Sequence, residues 1–261
     1  MNNYYPKISI ITPTLNQSEF IEDCIESVLS QEYPNLEYII LDGGSTDDTL
    51  HIVAKYEEKL TFISQKDNGQ VDAINKGLKM CTGDIVGYLN SDDIYLPGAL
   101  KRIGAHFSQY PSSMAVTGKC KRIDEAGNEI NKGVSLYKNT WLHFLGFNSL
   151  LIQNYISQPA TFWKRELLTN IGYFDPQYHY AMDYDYWLRI LKEHKMHFIN
   201  FELAAFRVHK NSITGKTSYK HLEEDLSIAK IYAPQHIFCL HAILNKLAIF
   251  VFRRFYKRQD I

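Results

Sequence analysis

Short apolar runs alternate with longer stretches of helical spacing through the first hundred residues. Runs at 8–12, 36–42, 60–65 and 84–89 are rich in Ile, Val, Leu and aromatic residues, and each ends in a polar or glycine-containing turn, the mark of a buried strand. Between them, 18–31 carries apolar Phe20, Ile21, Cys24, Ile25, Val28 and Leu29 at helical spacing, with Ser18 placed as N-cap. The spacing predicts further helices from Thr46 and Asp47 to about Tyr56, over 70–80, and from Pro97 to Tyr110. Strand–helix–strand alternation implies a parallel sheet with right-handed crossovers, in which ligands bind beyond the carboxyl ends of the strands. The segments just after each strand, 12–16, 42–47, 65–69 and 90–93, are therefore the place to look for chemistry, and three of the four hold carboxylates.

After Tyr110 the alternation loosens. The pattern predicts a hairpin from 114–123 and 129–134 around the turn 124–128, and a loop with a short helix over 141–155. Helices are expected at 164–170, 183–194 and 218–233, with extended chain at 197–207. With no repeat and no Gly/Ser linker, the chain reads as one domain, 1–217, with a helical extension, 218–261. The tail 235–261 is apolar but interrupted by His241, Asn245 and Lys246, and it ends in Arg253, Arg254, Lys257 and Arg258. It is too short and interrupted for a membrane span, leaving a helix packed on the domain or an interfacial helix meeting anionic lipid.

Composition narrows the function. The 261 residues are 45% hydrophobic, and 28 Lys+Arg nearly balance 29 Asp+Glu, which argues against disorder and against a nucleic-acid partner held by a basic surface. The four cysteines lie far apart with no C-x-x-C, so a zinc knuckle or disulfide framework is not expected. The opening MNNYYPK lacks a signal-peptide layout, and a cytoplasmic setting is expected.

Asn90-Ser91-Asp92-Asp93 puts adjacent carboxylates after an apolar strand. That is either a solvated acidic turn or, with a positive ion between them and a phosphate, a Mg²⁺ or Mn²⁺ site. Asp42 ends a strand before Gly43 and Gly44, where the backbone can approach a ligand closely. Asp67-Asn68-Gly69 precedes a helix whose free N–H groups favour a pyrophosphate. Two tempting motifs fail. The segment 213–218, ITGKTS, would need a glycine where Lys210 stands to be a phosphate loop, and no G-x-G-x-x-G follows the first strand. A sugar-phosphate nucleotidyltransferase would want a Gly- and Arg/Lys-rich loop at 12–16, which is absent.

In order and spacing, ISIITPTLN, ILDGGSTDDT, KDNGQVDAINKG and CTGDIVGYLNSDD resemble the nucleotide-binding half of inverting glycosyltransferase family 2. SQPATF (157–162), IGYFD (171–175) and AMDYDYWLR (181–189) resemble its acceptor-side segments, so the likeness runs over about 6–215. It implies an α/β GT-A fold with a mostly parallel central sheet flanked by helices, 1–110 binding donor and 111–217 holding acceptor and base. It further implies that Thr12, Pro13, Thr14, Asn16, Asp42, Asp67, Asn68, Gly69, Asn90, Ser91 and Asp92 bind the nucleotide-sugar. By the same resemblance Asp92, with Asp93 and His209, holds Mn²⁺ or Mg²⁺, and Asp183 is the general base, with Asp185 as fallback. Asn90 and Met182 depart from the family's usual residues, and they support an alternative, a non-catalytic binding subunit. The acceptor implied is a saccharide or lipid-linked saccharide in surface-polysaccharide assembly, on the cytoplasmic membrane face; peripheral membrane contact through 235–261 and a homodimer are carried as open alternatives.

Overall fold

In the computed structural model, which describes residues 5–210, 212 and 220–255 (251–255 as backbone only), the early apolar runs are parallel strands. β1 (Ile8–Thr14) lies between β2 (Leu36–Asp42) and β4 (Ile85–Tyr88), and β3 (Thr61–Ser64) borders β2. The crossovers are α1 (Ile21–Leu29), α2 (Thr49–Ala54) and α3 (Gln70–Met80). β5 (Ile94–Tyr95), α4 (Ala99–Gln109), β6 (Ala115–Ile123), β7 (Thr161–Lys164) and β8 (Met196–Arg207) follow. Among the described residues the sheet has eight strands in the order β3-β2-β1-β4-β7-β6-β8-β5. β6 and β8 are parallel; β7 runs against both β4 and β6, and β5 against β8.

The second half adds α5 (Lys132–Trp141), α6 (Phe147–Ile152), α7 (Leu167–Asn170), α8 (Met182–Glu193), α9 (Lys220–Tyr232) and α10 (Gln235–Phe255). Successive strand residues point to opposite faces, and both faces are covered, which is why the runs are apolar throughout rather than alternating. Ile10 and Ile40 pack with Ile25 of α1 and Ile103 of α4 on one side. Ile11 and Ile39 pack with Ile74 of α3 and Trp187 of α8 on the other.

Several expected elements are corrected. The hairpin reduces to an isolated bridge, Ile123 to Glu129, and 132–141 is helix α5. β8 pairs along the length of β6 and β7 takes the other edge at Ala115–Thr117. Farther along that edge Asn139 of α5 takes both backbone groups of Cys120, its Oδ1 accepting from N (3.2 Å) and its Nδ2 donating to O (3.3 Å), where the returning arm would have paired. Lys164 belongs to β7, leaving only Leu167–Asn170 helical in the expected 164–170 helix. Ser18 is not the N-cap of α1, which begins at Ile21; its N–H is instead taken by Asp47 Oδ2 at 3.1 Å. The two-residue strand β5 has too short a pattern to be read in the sequence. The segment 213–218 lies outside the described residues.

Candidate active site

A cleft of about 500 Å³ opens beyond the carboxyl ends of β1 and β4. Pro13, Thr14, Asp67, Gly69, Asn90, Ser91 and Asp92 line one side; Met182, Asp183, His221 and Asp225 line the other. Sequence segments some ninety residues apart thus bring Asp92 and Asp183 into one cavity.

The donor-side loops are tied together by short hydrogen bonds. Gln70 Nε2 donates to Asn90 Oδ1 at 2.7 Å, joining the start of α3 to the acidic turn. Asp67 Oδ1 accepts from Gly69 N at 2.8 Å, and Gly69 sits at φ 104°, a conformation that favours glycine. A Cβ on Gly43 would lie 2.9 Å from Asp67 Oδ2, so glycine there lets the Asp67 carboxylate approach. Thr14 Oγ1 is buried at the cleft with no protein partner.

Not every expected donor residue reaches the cleft wall. Thr12 is buried against Tyr38, 3.2 Å between hydroxyls. Asn16 Oδ1 caps the N–H of Thr46 at 2.8 Å. Asp42 holds its own turn, accepting from the N–H groups of Gly44 and Ser45 and from the hydroxyls of Ser45 and Ser64. Asn68 donates to Asp72. These four side chains shape the loops behind the wall.

The acidic turn divides its two carboxylates. Asp92 Oδ2 lies 3.0 Å from His209 Nε2 and faces the cleft. Asp93 turns away, wholly buried, its Oδ1 accepting from Arg207 N at 2.9 Å. Burial, with the charge of Asp92 beside it, pushes the Asp93 carboxyl well above the usual range. The expectation of Asp93 as a metal ligand is therefore replaced by a packing role. Arg207, 2% exposed, clamps the turn through Nε to Asp92 O (2.9 Å), a bond to Glu125 O (2.8 Å) and an ion pair with Asp23 (3.0 Å). Asp92 opens to the cleft with the His209 imidazole buried behind it, a pair that fits a divalent cation completed by phosphate oxygens and water rather than an all-protein cage. No cluster of three or more His, Cys, Asp or Glu side chains placed to hold a metal occurs among the described residues.

Across the cleft, Asp183 stands in the first turn of α8. Glu224 of α9 fixes that turn, its Oε2 accepting from the N–H groups of Tyr180 (2.7 Å) and Ala181 (2.8 Å). Burial pushes the Asp183 carboxyl up to about 6, and the Lys138 ammonium on α5 restrains the rise. Asp225, 3% exposed, accepts from Asn154 Nδ2 at 3.0 Å and is pushed up to about 8 by burial, with the charge of Asp183 adding to the rise. Burial, with the charge of Lys138, lowers His221 to about 4. Asp185, the fallback base, lies elsewhere: it binds Arg189 (2.8 Å) and the Tyr232 hydroxyl (3.1 Å).

Lys138, Glu224 and Asp225 escape sequence reasoning: Lys138 falls between the expected hairpin and the expected loop, and Glu224-Asp225 lies within the expected helix 218–233 with nothing in the pattern to single it out. Asn154 lies within the expected loop 141–155. Gln158, in a segment already singled out, lines the cleft and ties it to β4 through Tyr88 O at 2.5 Å.

The model of "Glycosyl transferase family 2" matches residues 9–222. A PGL/p-HBAD biosynthesis glycosyltransferase of Mycobacterium bovis is 29% identical over 227 residues, covering 83% of this chain and 84% of the relative. An uncharacterized glycosyltransferase of Rickettsia typhi is 29% identical over 229 residues, 85% of this chain and 70% of that one. The chondroitin synthase of Escherichia coli is 38% identical over 131 residues, 49% of this chain and 19% of the synthase. Among solved structures, the mannosyltransferase PcManGT of Pyrobaculum calidifontis in complex with GDP-Man and Mn²⁺ superposes with TM-score 0.71 at 21% identity, over 93% of this chain and 70% of that one. The S. aureus TarS fragment in complex with UDP-GlcNAc gives TM-score 0.66 at 21% identity, over 85% of this chain and 64% of the fragment. These likenesses place the α/β sheet and its flanking helices in the GT-A fold. With its family model spanning most of its length, the chain belongs to glycosyltransferase family 2.

Proposed function

We propose that the chain transfers a sugar from a nucleotide-diphosphate sugar to an acceptor hydroxyl with inversion, in a cation-dependent reaction. The observation that carries this reading is the shared cleft, with Asp92 on the donor wall and Asp183 facing it. Residues 1–110 supply the donor half and 111–217 the acceptor half, with α9 of the extension adding His221 and Asp225 to the wall.

Asp92 and His209 would hold Mn²⁺ or Mg²⁺ together with the donor's phosphate oxygens. When bound, the cation supplies positive charge against the charge that develops on the departing diphosphate. Thr14, Asp67, Gly69 and Asn90 position the nucleotide. Asp183, ionised above about pH 6, takes the proton of the acceptor hydroxyl as that oxygen attacks the anomeric carbon from the face opposite the leaving group. Asp225 is the only other carboxyl on that wall among the described residues, and burial keeps it protonated at neutral pH. A neutral acid is a poor nucleophile, so one base and direct displacement are the economical reading.

The mycobacterial relative is named for PGL/p-HBAD biosynthesis and the Escherichia coli relative is a chondroitin synthase, which supports a surface-polysaccharide role with a saccharide or lipid-linked saccharide as acceptor. The setting proposed is the cytoplasm, at the inner face of the cytoplasmic membrane. No described helix is long and apolar enough to cross a membrane.

The test is nucleotide release from UDP-, GDP- and dTDP-sugars with Mn²⁺, comparing wild type with Asp92→Ala and Asp183→Asn. Each substitution should lower turnover by about a hundredfold or more, while Asp183→Asn still binds donor in a thermal-shift measurement. Equal turnover by all three proteins would remove the site assignment, and no turnover with any donor would favour the binding-subunit reading.

A further inference from the structure

Helix α10 docks through Ile237 and Phe238, which pack on the core, and through two buried polar side chains. His241 and Asn245, 1% and 3% exposed, are buried against the domain, Nδ1 of His241 lying 2.9 Å from Leu151 O and Nδ2 of Asn245 donating to Leu222 O at 2.9 Å. On the far side Leu240, Ile243, Leu247 and Phe250 stand 42%, 55%, 54% and 61% exposed. Their spacing of three, four and three residues confines them to about 80° of the helix circumference, nearly opposite the docked face. Exposed apolar residues are ordinary singly; four in one stripe of one helix are not.

Charge selects the occupant. From Gln235 to Gln259 the sequence has no Asp or Glu, and it carries Lys246, Arg253, Arg254, Lys257 and Arg258. A second copy seated on this stripe would bring two such cationic segments together, whereas an anionic bilayer meets both the apolar stripe and its charge. We propose that the stripe at 240, 243, 247 and 250 is a docking surface for an anionic lipid bilayer, with α10 lying in the interface plane. The consequence for the reaction follows from the Asn245 bond. Leu222 sits on α9 beside His221, and α9 also places Asp225 on the cleft wall, so the docked helix is fastened directly to the acceptor side. This deepens the proposed function by favouring an acceptor saccharide carried on a membrane lipid.

The experiment is co-sedimentation of the full chain with phosphatidylcholine vesicles, with and without added phosphatidylglycerol, for wild type and for the double substitution Ile243→Gln, Leu247→Gln. Both positions are more than half exposed, so the variant is expected to keep the wild-type melting temperature and its nucleotide-release rate in the absence of vesicles. Wild type should bind the anionic vesicles, and the variant about tenfold more weakly or less. Failure of wild type to bind either vesicle overturns the proposal. So does a wild-type dimer in solution that the double substitution dissociates, which would assign the stripe to a second copy. Nucleotide release is read separately, so its loss would count against the transfer reaction and not against membrane docking.

Discussion

Replacing Lys138 with methionine tests whether Asp183 is the base and whether its ionisation is set by the groups around it. Burial raises the Asp183 carboxyl to about 6 and the Lys138 ammonium opposes the rise, so removing that charge at nearly constant side-chain volume should raise it further. An opposite charge near a buried carboxylate is worth about one pH unit or more, or about 1.4 kcal/mol per unit. The neighbouring Asp225 does not reverse the sign: it too is stabilised as an anion by Lys138, and without Lys138 it stays protonated to higher pH. The rate of nucleotide release should therefore rise with pH through about 6 in wild type and through about 7 in Lys138→Met. At pH 6 the ionised fraction of Asp183 then drops from about half to about one-tenth. The position of the acid limb is the readout, because loss of a substrate contact would lower the plateau without moving the limb. Lys138→Arg keeps the charge and should leave the limb in place. A limb that stays at wild-type pH in Lys138→Met, or moves down, would refute the coupling and with it the role of Asp183.

Other outcomes follow from the same geometry. Gly43→Ala places a Cβ 2.9 Å from Asp67 Oδ2; the carboxylate should swing aside at a cost of about 1 kcal/mol or less while nucleotide binding weakens, read by denaturation and thermal shift. Arg207→Met strips a buried clamp from the acidic turn and leaves the Asp92 and Glu125 carbonyls without their donor, the exposed Asp23 adding little; a loss of about 2–3 kcal/mol is expected in chemical denaturation. Asp225 has a folded value raised from 3.8 to about 8, so its contribution to stability is full below about pH 4 and is lost as pH rises toward 8. Asp225→Asn removes that dependence, and the substituted protein should gain on wild type by up to several kcal/mol between those pH values, measured as melting temperature against pH.

How far the sequence could be read depended on where the information lay. The parallel core strands could be read because each is a contiguous apolar run closed by a turn, and the loops after them hold their own chemistry. Asp92 is legible in this way, whereas Asp183, in the first turn of a helix, is pointed to only by the resemblance of 181–189 to the family's acceptor-side segment. The division of labour between Asp92 and Asp93 was not, since adjacent carboxylates are equivalent in the sequence until Arg207, more than a hundred residues away, claims one of them. Asp42 likewise looked free to meet a ligand, yet its oxygens are taken by the turn it closes. The hairpin fails because a helix replaces its second arm, and Asn139 on that helix takes the backbone N–H and carbonyl of Cys120 that the arm would have paired with. Glu224, Asp225 and Lys138 matter through contacts between helices that carry no periodic trace.

The account rests on one base acting across the cleft from the diphosphate, and the anomeric configuration of the product tests that most directly. Proton NMR of the sugar freshly released or transferred from an α-linked nucleotide-sugar should show the β anomer first. The α anomer first would mean a double displacement, would make a cleft carboxyl such as Asp225 the nucleophile, and would contradict the assignment of Asp183.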